Sequence, residues 1–204
     1  MTTPSYALLI PVKDGRTAKS RLGVGDDRER TELMSAFARD AISAANALDG
    51  VKVYVVGDEA ALADVLQGFE VVVLPDEGAG DLNEALVRAA ERVASPTTGI
   101  AVLLADVPCL LTADLELAFG SGTDRRFVAD AAGTGTTLLI APPGTDLDPR
   151  FGPGSAAAHQ ESGGRALSEP LESLRLDVDT TDDLEAALRF GVGVNTAKVA
   201  SGRL

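Results

Sequence analysis

Residues 99–105 read GIAVLLA and run directly into Asp106-Val107-Pro108. Seven residues that are apolar without alternation suit a strand covered on both faces, the environment of a central strand in a parallel sheet. Working outward, Tyr6–Val12, Val51–Val56 and Glu70–Leu74 are further short apolar runs rich in β-branched residues. Helical patterns separate them: 28–48, with Leu33, Phe37, Ala41, Ala45 and Leu48 on one face, then 59–66, then 81–93 with Asp81 as N-cap. Strands alternating with helices predict an α/β, single-domain, three-layer αβα arrangement with a mostly parallel sheet. Beyond Asp106 the rhythm changes. A helix over 112–119 precedes two strand candidates, 127–131 and 136–141, whose Gly and Thr turn suits an antiparallel pair. A loop over 142–153, a short helix over 154–161, a strand over 174–178 and a helix capped by Thr180 or Thr181 complete the reading. The tail from Gly191 is weakly patterned and is expected to fray at its end.

Composition narrows the partners. The chain of 204 residues carries 31 acidic against 18 basic residues, a formal net charge of -13. That balance argues against nucleic acid or an anionic membrane as partner, so any anionic ligand should be small. Cys109 is the only cysteine, which rules out an internal disulfide and suits a small buried side chain. With no signal-peptide pattern and no apolar run of membrane-spanning length, the expected location is the cytoplasm.

Against this acidity, residues 13–21 hold Lys13, Arg16, Lys19 and Arg21 with only Asp14 opposing them. They follow the first strand, where open α/β sheets bind ligands, and a polyanion is the simplest reason for the local reversal of sign. Asp106 follows the central strand, and Asp177 and Asp179 alternate at the end of the last strand candidate. Such carboxylates suit a hard cation such as Mg²⁺. Taken singly, Asp106 could open a turn and Asp179 could cap a helix; beside a basic loop the three together favour a metal and a phosphoryl or nucleotidyl transfer site. Two glycine and hydroxyl clusters, GTGTTLL at 133–139 and FGPGSAAAH at 151–159, could hold a phosphate or carboxylate near Ser155, or could be ordinary turns. His159, the only histidine, lacks the company a zinc site needs. The sequence contains no GxxxxGK[ST] loop, no GxGxxG after the first strand and no GxSxG elbow.

Six segments in order carry a resemblance over nearly the whole chain: PVKDGRTAKSRL (11–22), DLNEAL (81–86), ADVPCL (105–110), GTGTTLL, FGPGSAAAH and LDVDTTDDL (176–184). Together they resemble the guanylyltransferases of coenzyme F-420 biosynthesis, which have a GT-A-like nucleotidyltransferase fold. The resemblance implies transfer of GMP from GTP to the phosphate of phosphoenolpyruvate, or of 2-phospho-L-lactate in the archaeal branch, with release of pyrophosphate. By the same likeness Asp106, Asp177 and Asp179 would hold Mg²⁺, and Thr137, Gly152 and Ser155 would bind the acceptor. Lys13, Arg16 and Lys19 would meet the GTP phosphates, with Arg16 and Lys19 stabilising the transferred charge, and Asn83 would touch the nucleoside. Asp81 departs from the glycine expected there. Either a monomer or a homodimer suits these expectations, and a non-catalytic nucleotide sensor is the rival from another class.

Overall fold

The computed structural model describes residues 5–13 and 26–201. The elements in chain order are β1 (Ser5–Pro11), α1 (Asp27–Asn46), β2 (Val51–Val56), α2 (Ala63–Leu66), β3 (Val72–Leu74), α3 (Leu82–Val93), β4 (Thr98–Leu103), α4 (Thr112–Gly120), β5 (Arg126–Ala129), β6 (Thr136–Ala141), α5 (Ser155–Glu161), β7 (Arg165–Ala166), α6 (Glu172–Arg175), α7 (Thr181–Phe190) and α8 (Val194–Ser201). The strands form one sheet in the order β3-β2-β1-β4-β6-β5-β7. β1 is parallel to both β2 and β4, and β4 and β5 are each antiparallel to β6.

The period of two in side-chain direction explains why the central strands are apolar throughout. Leu8 and Ile10 of β1, Ala101 and Leu103 of β4, and Leu138 and Ile140 of β6 enter a core shared with α1 and α4. Leu9, Val102, Leu139 and Ala141 face the other way, toward Ala85, Leu86 and Ala89 of α3 and Ala156 of α5. Two apolar layers on one sheet make the expected αβα sandwich. Asp81 caps α3 as its sequence predicts, accepting from the N–H groups of Asn83 and Glu84.

Two expectations need correction. The strand read over 174–178 is the short helix α6 followed by an extended segment outside the sheet. Leu171 and Leu174, both fully buried, are spaced by three, so one helical turn buries them together and Arg175 secures it by donating to the carbonyls of Ala129 and Leu167. Within the tail, α8 packs on α1, and Asp40 of α1 accepts from the N–H groups of Asn195 and Thr196 in its first turn; the last three residues, where fraying is expected, lie outside the described residues. Of the helix read over 59–66, only Ala63–Leu66 is helical.

Arg126 is fully buried, which its charge would not suggest. Its guanidinium donates to the carbonyls of Ala118, Phe119 and Asp124, closing the carboxyl end of α4 where a cation suits the helix dipole. No helix among the described residues is long and apolar enough to cross a membrane.

Candidate active site

The chain leaves β1 in one direction to form β2 and β3, then returns to form β4 on the other side. The carboxyl ends of β1 and β4 therefore flank the switch point where open sheets leave a crevice. A cavity of about 290 Å³ lies there, with Lys13 after β1 and Asp106 after β4 on its wall. Val12, Leu104 and Leu82 supply its apolar floor and α1 adds Thr31 and Ser35. Among the described residues of that wall Lys13 is the one cation and Asp106 the one anion. Arg16, Lys19 and Arg21 lie outside the described residues.

Because β6 runs antiparallel to β4, its beginning lies where β4 ends. The N–H of Leu104 donates to the carbonyl of Thr137 at 2.9 Å, which brings the threonine pair 136–137 to the same sheet edge as Asp106. The segment after α6 also reaches this edge. Val178 is fully buried and its N–H donates to the Asp106 carbonyl at 3.0 Å, so Asp177 and Asp179 flank a residue tied to Asp106. The extended segment between α6 and α7, rather than a sheet strand, places the two aspartates. Thr180 and Asp183 close a reciprocal capping box at the start of α7 and fix where that segment ends. Among the described residues no three carboxylate, histidine or cysteine side chains form a ready-made metal cage.

The loop between β6 and α5 brings Gly152 and Ser155 to the same end. The Asn83 amide donates to the Phe151 carbonyl at 2.9 Å and accepts from the Phe151 N–H at 2.7 Å. These two bonds use one of the two N–H donors and one of the two acceptor positions of the amide. Gly152 follows with φ 133°, a conformation that side chains rarely adopt. The N–H of Ala156 donates to the carbonyl of Thr134, joining this loop to the glycine and threonine turn. Asp130 closes that turn by accepting from the N–H groups of Thr134 and Gly135 at 2.8 and 2.7 Å. An Asp three residues before a Gly-Thr turn is a local signal that could have identified it.

His159 is fully buried, with its ring edge-on to Phe151 and tilted against Phe127. The backbone N–H of Arg150 donates to Nε2 at 3.0 Å, which assigns the proton of the neutral ring to Nδ1, 2.9 Å from Thr136 Oγ1. Burial pushes its pKa down from 6.5 to about 4, with the positive charge of Arg125 adding to the effect; Asp148 opposes it and Arg150 reinforces it. A folded pKa below the unfolded one contributes stability that is complete above about pH 6.5 and is lost as pH falls through 4. Protonation would set a second N–H against that of Arg150. Urea titrations of the wild type at pH 7 and pH 4 should show a loss that is smaller in His159→Gln; equal losses would show that the ring does not titrate in this window. Cys109 is likewise buried, and burial first, then the charge of Asp40, pushes its thiol up to about 11. It donates to the Ala187 carbonyl and packs as a small core side chain, as expected.

An open α/β sheet with an acidic strand end and a cationic loop start at its switch point is an arrangement suited to nucleotidyl transfer. Solved structures share the architecture: a Desulfovibrio desulfuricans protein described in terms of nucleotide-diphospho-sugar transfer superposes with a TM-score of 0.74 at 18% identity, over 97% of this chain and 95% of that one. A Mycobacterium tuberculosis protein, Rv0371c, solved in complex with manganese, superposes with a TM-score of 0.50 at 22% identity, over 92% of this chain and all of that one. Residues 6–199 match the family model "Guanylyl transferase CofC like", and the chain belongs to that family of guanylyltransferases. A Streptomyces coelicolor relative named phosphoenolpyruvate guanylyltransferase is 43% identical over 203 residues, covering 96% of each chain.

Proposed function

We propose that the chain transfers GMP from GTP to the phosphate of phosphoenolpyruvate, releasing pyrophosphate, as a step in coenzyme F-420 biosynthesis. The observation that carries this is the meeting, at one sheet edge, of the β4 end bearing Asp106 and the β6 start bearing Thr137, joined by the Leu104 to Thr137 hydrogen bond. One strand end addresses the donor and its antiparallel neighbour the acceptor.

Lys13, with Arg16 and Lys19, meets the triphosphate, and the last two offset charge on the phosphoryl group in transfer. Asn83 contributes by holding Phe151, and through it Gly152 and Ser155, against α3. Thr137, Gly152 and Ser155 receive the acceptor. Its phosphate oxygen attacks the α-phosphorus, a new P–O bond forms, and the bond from that phosphorus to the bridging oxygen breaks with pyrophosphate as leaving group. The nucleophile is already deprotonated at neutral pH, so no general base is required.

The oxygen donors at this edge fit a hard divalent cation: one half-buried aspartate at the strand end and two more on the segment bonded to it. Asp106, Asp177 and Asp179 would hold Mg²⁺, which when bound neutralises charge on the phosphate oxygens. A site completed by substrate phosphates needs no closed protein cage.

The test is a panel of GTP with Mg²⁺ and, separately, phosphoenolpyruvate, 2-phospho-L-lactate and no acceptor, read by pyrophosphate release and the product mass. Phosphoenolpyruvate should give the highest kcat/KM. Preference for 2-phospho-L-lactate would reassign the acceptor, and no release with any phospho-acid would leave a nucleotide-binding protein without this activity.

A further inference from the structure

Neither the metal-bearing edge nor the charged loop accounts for His159. Yet its neighbours are those of the acceptor subsite. Nδ1–H reaches Thr136, next to Thr137; Nε2 receives the N–H of Arg150, two residues before Gly152; and Ser155 lies one helical turn earlier on α5. The ring is enclosed by Phe127 and Phe151, and its two nitrogens are engaged by Thr136 and Arg150. Beside the Ala156 to Thr134 bond, it therefore ties the β6 start to the 150–155 loop through a side chain.

We propose that His159 is a positioning residue of the acceptor subsite: it touches no substrate, and it sets the spacing of Thr137 against Gly152 and Ser155. The proposal rests on the assignment of these three residues to the acceptor. A ring with one donor and one acceptor nitrogen suits the task because its two partners are a hydroxyl that can accept and a backbone N–H that can only donate. Asparagine keeps a polar atom near the Nδ1 position and cannot reach Arg150, whereas the longer glutamine places its carbonyl near the Nε2 position and can accept the Arg150 N–H.

Steady-state kinetics on the full chain with GTP, phosphoenolpyruvate and Mg²⁺ separate the possibilities. His159→Asn should raise the KM for phosphoenolpyruvate about tenfold or more while the KM for GTP stays within about twofold, the size of effect that loss of a supporting hydrogen bond produces. His159→Gln, which keeps the Arg150 bond and loses the Thr136 one, should recover about half of that loss. Thr136→Val, which keeps the shape of the side chain and the packing of the ring, should show a selective rise of the size that remains in His159→Gln, because both lose the bond at Nδ1. An unchanged phosphoenolpyruvate KM in folded Thr136→Val or His159→Asn overturns the proposal, as does a parallel rise in both KM values, which a general loosening of the fold would cause. A wild-type chain that turns over no phospho-acid overturns the functional reading and this inference with it. An active wild type with indifferent variants overturns the inference alone.

Discussion

Asp106→Asn should lower kcat by roughly 100- to 1,000-fold or more, the range seen when one preorganised electrostatic contact to a developing charge is removed. The substitution keeps the volume of the side chain and removes its charge. The backbone carbonyl of Asp106 still accepts from Val178, so the attachment of the 176–179 segment survives, and the thermal midpoint should stay close to that of the wild type. Pyrophosphate release measured across a Mg²⁺ titration gives a second readout: a weakened metal site shifts the half-saturating Mg²⁺ concentration upward. Turnover near the wild-type level with an unshifted Mg²⁺ dependence would remove Asp106 from the metal site.

The second large effect is on stability, far from the chemistry. Asp40 is 6% exposed and accepts from Asn195 N, Asn195 Nδ2 and Thr196 N at 3.0, 2.8 and 2.9 Å. It caps a helix that begins more than 150 residues later, and its charge suits the amino end of that helix. Gly193 permits the approach, since a Cβ there would lie 2.3 Å from the Asp40 carboxyl carbon. Arg39, beside it, donates to the carbonyls of Asp64, Val65 and Gln67 and to the Asn195 amide, so one turn of α1 holds both α2 and α8. Asp40→Ala leaves buried donors without an acceptor and should cost about 2–4 kcal/mol. For a chain of this size that is roughly 5–12 °C in the thermal midpoint. Asp40→Asn keeps one acceptor oxygen and should lose about half as much. A midpoint in Asp40→Ala equal to the wild type would show that α8 is held by its apolar contacts alone.

These residues also show what the sequence could and could not reveal. Val51–Val56 and Thr136–Ala141 are read with the bounds they have in the sheet, because apolar runs between glycines, prolines and acidic turns are set locally. The antiparallel β5–β6 pair and the Asp81 cap are legible for the same reason. Leu-Arg-Leu-Asp-Val at 174–178 alternates like a strand, and only the burial of Leu171 beside Leu174 decides for a helical turn. Asp40 reads as solvent-facing because a one-stripe view of α1 gives it no buried neighbour; the neighbour is α8, distant in sequence. At the site, the residue types are legible from Lys13, Asp106 and the glycine-rich segments. The hydrogen bonds of Asn83 and His159 are not, because each is made with a backbone group of the 150–151 loop that folding brings to it.

The reversed direction of β6 has one more consequence. The proposed chemistry lies at the edge where β4 ends and β6 begins, and the opposite edge, where β6 ends and β4 begins, carries none of the residues assigned to it. The turn at Pro142–Thr145 and the connection at 95–97 lie there, with the N–H of Thr145 bonded back to Pro142 within its own turn. Extra residues or a fluorescent label introduced at Gly144 would sit across the full length of the sheet from Asp106. The architecture thus separates a face that must keep its dimensions from one free to vary in length, and a reporter can be carried on the second without disturbing the first.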